Sequence, residues 1–334
     1  MPTNLPPECV EAEKRYRAAQ TLPDRIRTLE EFLALIPKHK GTDKLRADLR
    51  ARLSKMKSEG QAPKGPSRRD STFRIPREGA GQVALVGPPN TGKSALVRAL
   101  TKATPEVSDA PFTTWEPVPG MMSIEDIQVQ LIDTPPLNPD YVEPELIELI
   151  RRADLMLLVV DLPADPLEQL QETVALPLEN RVVPAPLHAT HAVEIEALRT
   201  VIPTLVAANK CDGEDGDELF ALFQALVADE LEGEWPMVAV SATAGRHWGV
   251  FKQAVFEQLG IIRVYSKVPG KPPDMNAPFV LPAGGTVVDV AAEIHRDLLE
   301  KMKAARVWGA GVHDGQMVGR EHQLHDGDIV ELYT

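Results

Sequence analysis

The sequence predicts an α/β fold: a mostly parallel sheet with helices on both faces, preceded by a helical hairpin and followed by a small β-grasp unit. Three observations predict it. From residue 82 to about residue 260, apolar runs of strand length alternate with stretches of helical period, the pattern of a parallel sheet covered on both sides. Residues 7–58 carry apolar residues at helical spacing and little strand signal. After residue 262, one helical stripe lies among short strands, which suggests a helix packed on a small mixed sheet.

The elements follow in chain order. Ile26, Leu29, Phe32, Leu33 and Ile36 form a first helical stripe, with Pro23 early in it and Pro37 closing it. After Gly41, Leu45, Leu49, Leu53 and Met56 form a second. Residues 59–71 are rich in Gly, Pro and charge and read as a linker. Candidate strands are 82–86, 127–132, 154–160, 203–208 and 236–240; candidate helices are 94–101, 141–152, 217–229 and 248–258. The Pro-rich stretch 161–202 holds two further expected helices, near 166–176 and 190–200. In the last unit a strand at 262–267 precedes a helix from Val287 to Ala305, with Val290, Ile294, Leu298 and Met302 on one face. Short strands at 306–308, 316–318 and 329–333 complete it. The expected divisions are a basic helical segment 1–60, a linker 61–77, a nucleotide-binding domain 78–261 and a β-grasp domain 262–334.

Charge is unevenly spread. Residues 1–77 hold 18 basic and 10 acidic residues, giving +8, while the remainder holds 18 basic and 39 acidic, giving −21, which together make the net −13. A basic arm on an acidic body points to a polyanionic partner such as RNA; a solvated helical face with surplus lysines is the plainer alternative. The longest apolar run, 155–160, is far too short to cross a bilayer. No apolar leader is visible near residue 1, and the two cysteines, Cys9 and Cys211, make no disulfide framework. The cytoplasm is the expected compartment.

Residues 87–94, Gly-Pro-Pro-Asn-Thr-Gly-Lys-Ser, fit the phosphate-binding loop G-x-x-x-x-G-K-[ST], between a strand and a helix. Backbone N–H groups of Pro89 to Ala95, excepting the proline, would cradle phosphates at a helix N-terminus. Thus Pro89, Asn90, Thr91, Gly92, Lys93, Ser94 and Ala95 are candidate nucleotide contacts. Lys93 would reach the β- and γ-phosphates, and the Ser94 hydroxyl would ligate Mg²⁺, a hard cation that takes oxygen donors. Asp133, directly after strand 127–132, is the second candidate for that metal, or else a turn residue.

Residues 209–212, Asn-Lys-Cys-Asp, end another strand and point to the base. The Asp212 carboxylate can accept from both N1–H and the exocyclic amine of guanine, a donor pair that adenine lacks; such sites discriminate by roughly 10⁴-fold or more. Lys210 would lie along the nucleotide, Asn209 would tie loops together, and Ser241, Ala242 and Thr243 would supply an N–H to the guanine carbonyl. A P-loop kinase or ATPase would leave residues 209–212 unexplained.

These motifs, with Pro111-Phe-Thr-Thr114 and Val118-Pro-Gly-Met-Met, resemble the Obg-related GTPases and most closely the developmentally regulated GTP-binding (DRG) family. Residues 38–53 look like that family's basic N-terminal segment. Residues 262–334, with Arg263-Val-Tyr, Val307-Trp-Gly309, Gly319 and His325-Asp-Gly-Asp-Ile-Val330, look like a TGS domain. The resemblance covers nearly the whole chain but finds no counterpart of the family's basic inserted subdomain in 135–202. It implies a GTP-hydrolysing switch on the ribosome or its RNA, Thr114 (neighbour Thr113) closing on Mg²⁺ with a catalytic role beside Lys93, and Asn90 as a ligand of K⁺, unless Asn90 only caps its loop.

Two departures matter. The family reads Asp-x-x-Gly where this chain has Asp133-Thr-Pro-Pro136, so the N–H that bonds the γ-phosphate is missing and φ is fixed. The next residue, Leu137, cannot orient a water. Slow hydrolysis and a stiff segment follow as expectations, with a non-hydrolysing nucleotide-binding module or an RNA adaptor as alternatives. His295, His313, His322 and His325 show no zinc spacing, and Trp115, Trp235, Trp248 and Trp308 read as packing residues, with Trp115 placed to report nucleotide state.

Overall fold

A computed structural model describes residues 28, 32, 73–101, 116–137, 143–188, 200–295, 298–299 and 302–333. The chain divides into two compact units, 1–71 and 72–334. In the first, only Thr28 and Phe32 are described, both helical, so the expected hairpin otherwise lies outside the described residues. So do Thr113, Thr114, Trp115 and residues 190–199 of the helix expected there, while Thr200 opens a strand.

The second unit begins with β1 (Gln82–Val86), α1 (Lys93–Leu100), β2 (Val118–Ile124), β3 (Ile127–Asp133), α2 (Pro144–Arg152) and β4 (Leu155–Asp161). It continues with α3 (Pro166–Glu179), β5 (Val182–Pro184), β6 (Thr200–Ile202), β7 (Thr204–Asn209), α4 (Gly216–Glu230), β8 (Met237–Ala239) and α5 (Trp248–Leu259). Six of the strands form one sheet in the order β2-β3-β1-β4-β7-β8. Only β2 runs antiparallel, paired along its length with β3. The parallel strands therefore end on one rim, which carries residues 87–94, Asp133, Asp161, Asn209 and Ser241.

Alternation along the buried strands supplies both cores. Ala84, Val86, Met156 and Leu158 face α2, α3 and α4 through Ile147, Ile150, Leu170, Val174, Phe223 and Val227. Val83, Leu85, Leu155 and Leu157 face α1 and α5 through Leu96, Val97, Phe251 and Val255. Two-sided burial is why these strands read as continuous apolar runs. In α3, the Asp165 side chain accepts from the Glu168 N–H and Pro166 occupies the first turn, a strong start signal.

The C-terminal part holds β9 (Ile261–Ser266), β10 (Phe279–Pro282), α6 (Val287–Ile294), β11 (Ala304–Trp308), β12 (Gln316–Val318) and β13 (Asp328–Tyr333), in a mixed sheet ordered β10-β9-β13-β11-β12. A capping box at Thr286 and Asp289 starts α6. The helix expected to run to residue 305 is interrupted after Ile294, where His295 is extended; residues 298–299 are helical again, and Ala304 already belongs to β11. Leu298 and Met302 still reach the same core as Val290, which kept the apolar period going past the break. Strands β2, β5, β6 and β10 were not expected from the sequence; β2 carries Pro119 and Gly120, and β5 and β6 span three residues each.

Arg263 on β9 joins this sheet to the β2–β3 turn. Its guanidinium bonds Asp326 twice (3.0 and 2.7 Å), Asp126 (3.0 Å) and Glu125, and lies 5.1 Å from the Phe256 ring centroid. The Tyr265 hydroxyl donates to Asp126 at 2.5 Å. Burial works against the Asp126 charge, but the bonds from Tyr265 and Arg263 outweigh it and hold the carboxyl below the usual range; Asp326 is lowered in the same way by Arg263.

Candidate nucleotide site

The loop between β1 and α1 encloses one side of a cleft of about 330 Å³ lined by Pro89, Asn90, Gly92, Lys93, Ser94, Ala95, Arg98 and Pro136. Lys93 is buried, and its ammonium donates to the carbonyls of Gly87 (2.8 Å) and Pro88 (2.7 Å). Burial lowers its pKa to about 8, with the charge of Asp133 acting against that fall. Burial in turn raises Asp133, opposed by a hydrogen bond from Ser94 and by the charges of Lys93 and Arg98. Asn90 sits in the left-handed region at φ 65°, a conformation that asparagine tolerates better than most residues.

Asp133 Oδ1 is buried and has no hydrogen-bond partner among the described residues. An orphaned carboxylate oxygen beside a serine hydroxyl is costly unless a cation or donor completes it. The donor set, two hard oxygens next to a phosphate loop, fits Mg²⁺.

Asn209, at the end of β7, holds the two halves of the rim together. Its amide N–H donates to the Thr91 carbonyl at 2.8 Å, and its amide oxygen accepts from the Ala242 N–H at 3.2 Å. Gly92 is required for this contact: its φ is 93°, and a Cβ would lie 2.2 Å from the Asn209 amide nitrogen. Lys210 pairs with Asp161 at 2.5 Å. Asp212 accepts from the Ser241 hydroxyl and from Thr243 (2.9 Å), both at Oδ1, which leaves Oδ2 to accept elsewhere.

The rim thus brings together residues 89–95 and Asp133 at one end, and Asn209, Lys210, Asp212, Ser241, Ala242 and Thr243 at the other. Thr114 falls outside the described residues. Pro136 lines the phosphate cleft itself, whereas Leu137 is buried in the core under α2. Two features escaped sequence reasoning. Arg98 lines the cleft one helical turn after Ser94, a position that i, i+4 spacing indicates. Asp161 holds Lys210 from the neighbouring strand, and its place at the end of an apolar run was the available signal.

Residues 82–188 match the family model described as a 50S ribosome-binding GTPase, and residues 262–334 match that of the TGS domain. An uncharacterized GTP-binding protein of Methanocaldococcus jannaschii is 30% identical over 366 positions, covering 93% of this chain and 92% of that protein. Developmentally-regulated G-protein 1 of Arabidopsis thaliana is 28% identical over 370 positions, covering 92% of this chain and 90% of that protein. Among solved structures, the Schizosaccharomyces pombe YchF GTPase is similar in fold, with a TM-score of 0.53 at 12% identity over 77% of this chain and 99% of that one.

Proposed function

The chain belongs to the family of developmentally regulated GTP-binding proteins, and on that premise we propose that it hydrolyses GTP slowly to GDP and phosphate as a cytoplasmic switch on the ribosome or its RNA. One observation carries the guanine-nucleotide reading: a single amide, Asn209, joins the phosphate loop at Thr91 to the base loop at Ala242, so the two half-motifs form one site. Asp212 reads the guanine edge and Lys93 neutralises the phosphates. Asn209, Lys210, Ser241, Ala242 and Thr243 shape the base end, and residues 89–95 the phosphate end.

Ser94, Asp133 and Thr114 are the residues that would hold Mg²⁺, which supplies charge neutralisation at the β- and γ-phosphates when bound. The unpartnered Asp133 Oδ1 supports that assignment. Asn90 is the proposed K⁺ ligand, supported by its position in the lining of the phosphate cleft. Positioning and electrostatics carry the reaction, since Leu137 is buried and offers no group to orient a water.

Pro136 favours a second reading, in which nucleotide only orders a surface. It lines the cleft and has no N–H to offer a terminal phosphate. Single-turnover hydrolysis with K⁺ or Na⁺, beside the Pro136→Gly variant, separates the two. Measurable K⁺-stimulated turnover by the unaltered chain supports hydrolysis; turnover only in the glycine variant supports the second reading. A GTP:GDP affinity preference of about 100-fold or more would contradict the stiff-segment argument, since it equals about 2.7 kcal/mol of discrimination. ATP displacing GDP with comparable strength would overturn the base assignment. Ribosome pull-down with and without residues 1–60, over a salt series, tests the role proposed for the basic arm.

A further inference from the structure

We propose that Cys211, Asp217 and His247 form a binding site for one zinc-class divalent cation, behind the base loop and apart from the Mg²⁺ position at Ser94 and Asp133. The inference goes beyond the nucleotide reading and does not depend on it. The three residues come from three places in the fold: the loop just after β7, the first turn of α4 and the N-cap of α5. Cys211 Sγ and His247 Nε2 each lie 3.8 Å from Asp217 Oδ1, and all three ligand atoms lie within 4.8 Å of one another. A tetrahedral zinc with bonds of about 2.0–2.3 Å needs ligand atoms roughly 3.3–3.8 Å apart. Two of the three edges are already at the upper end of that range.

The surroundings suit a ligand set. Gly216 has no Cβ, and a Cβ there would lie 2.6 Å from Cys211 Sγ, so glycine is what admits the sulfur. Arg246 bonds the other carboxylate oxygen, Asp217 Oδ2, at 3.2 Å, and the carbonyls of Cys211 (3.2 Å) and Gly213 (2.8 Å). It orients the carboxylate and leaves Oδ1 toward the sulfur and the imidazole, as partners outside a metal's own ligands commonly do. Its positive charge opposes a cation, and the thiolate and carboxylate offset that charge. Metal binding releases the thiol proton to solvent. Sulfur, imidazole and carboxylate together favour Zn²⁺ over Mg²⁺. Since β7 lies three strands from β3 in the sheet, the two metal positions are about 14 Å apart at ~4.8 Å per strand.

A bound ion would fasten the loop holding Asp212 to the helix that follows Thr243. The test is cobalt substitution in the full chain carrying Cys9→Ser, which leaves Cys211 as its single thiol. Mg²⁺ and GDP are present in excess. The expected result is a thiolate-to-cobalt charge-transfer band in the near ultraviolet that saturates at one Co²⁺ per chain and is abolished by Zn²⁺. Cobalt held only by phosphate oxygens gives no such band. His247→Asn, which keeps a residue suited to φ 65°, and Asp217→Asn each weaken Co²⁺ binding by about tenfold or more, with unchanged circular dichroism. Absence of the band in the Cys9→Ser chain overturns the proposal. So does a band whose Co²⁺ affinity is the same in both asparagine variants.

Discussion

Replacing Arg263 by methionine tests how firmly the C-terminal sheet is held to the β2–β3 turn. Methionine keeps an unbranched apolar stem beside Phe256 and removes the guanidinium. Four side-chain hydrogen bonds to Asp326, Asp126 and Glu125 disappear. Bonds to charged groups contribute about 1.5–3 kcal/mol each when buried. Glu125 is 67% exposed and counts for almost nothing; Asp126 and Asp326, at 24% and 34%, count for about half. Three carboxylates then face one another without a cation. The expected loss is about 2–4 kcal/mol, or roughly 4–16 °C in the melting of the second unit. Calorimetry at pH 7 measures it. Asp126→Asn added to Arg263→Met recovers part of the loss by removing one of the facing charges. The pH dependence has a definite sign. Asp126 and Asp326 have lowered pKa values in the fold, so their contribution is full above the ordinary Asp range, near ~3.9, and disappears as pH falls through the lower folded values. Variant and parent should therefore converge only in strong acid. A melting difference under about 1 °C at pH 7, or convergence already at about pH 6, would refute the reasoning.

Three further outcomes are expected. Asn209→Ala removes one buried and one part-buried hydrogen bond of about 1 kcal/mol each and raises the GDP dissociation constant about tenfold or more; titration calorimetry showing less than a twofold change contradicts the bridge. Nucleotide affinity falls above pH 8, because Lys93 loses its proton there in the free chain and must regain it against phosphates; proton uptake measured in buffers of different ionisation enthalpy checks this, and none at pH 9 counts against it. Leu137→Gln does not speed hydrolysis. It buries an amide at a position only 5% exposed and lowers stability by about 2–3 kcal/mol, whereas faster single turnover would show the position reaches the cleft.

The parallel sheet was legible because strands buried on both faces are mostly apolar, and 83–86, 155–160 and 205–208 are apolar throughout. The phosphate and base motifs were legible for a related reason: each directly follows such a run. Strand β2 was hidden because it is an edge strand, where Pro119 and Gly120 are tolerated and alternation is weak. The break at His295 was hidden because Leu298 and Met302 serve the same core from beyond the helix. Arg263 was visible only as part of the TGS-like stretch; nothing signalled the bonds it makes, since its partners at 125, 126 and 326 lie far away in sequence. The same holds for Cys211 and His247, which come together only when the strands bearing their loops pair.

The order of strands also bears on how the domain is made. Thr91 and the asparagine that holds it are 118 residues apart, and β7 enters between β4 and β8 only late in the chain. A nascent chain that has emerged only as far as residue 188 has β4 with one open edge and a phosphate loop without its tether. The bridge made by Asn209 is therefore complete only after synthesis has passed the 241–243 loop. Until β7 has emerged, the open edge of β4 is exposed to unwanted strand pairing.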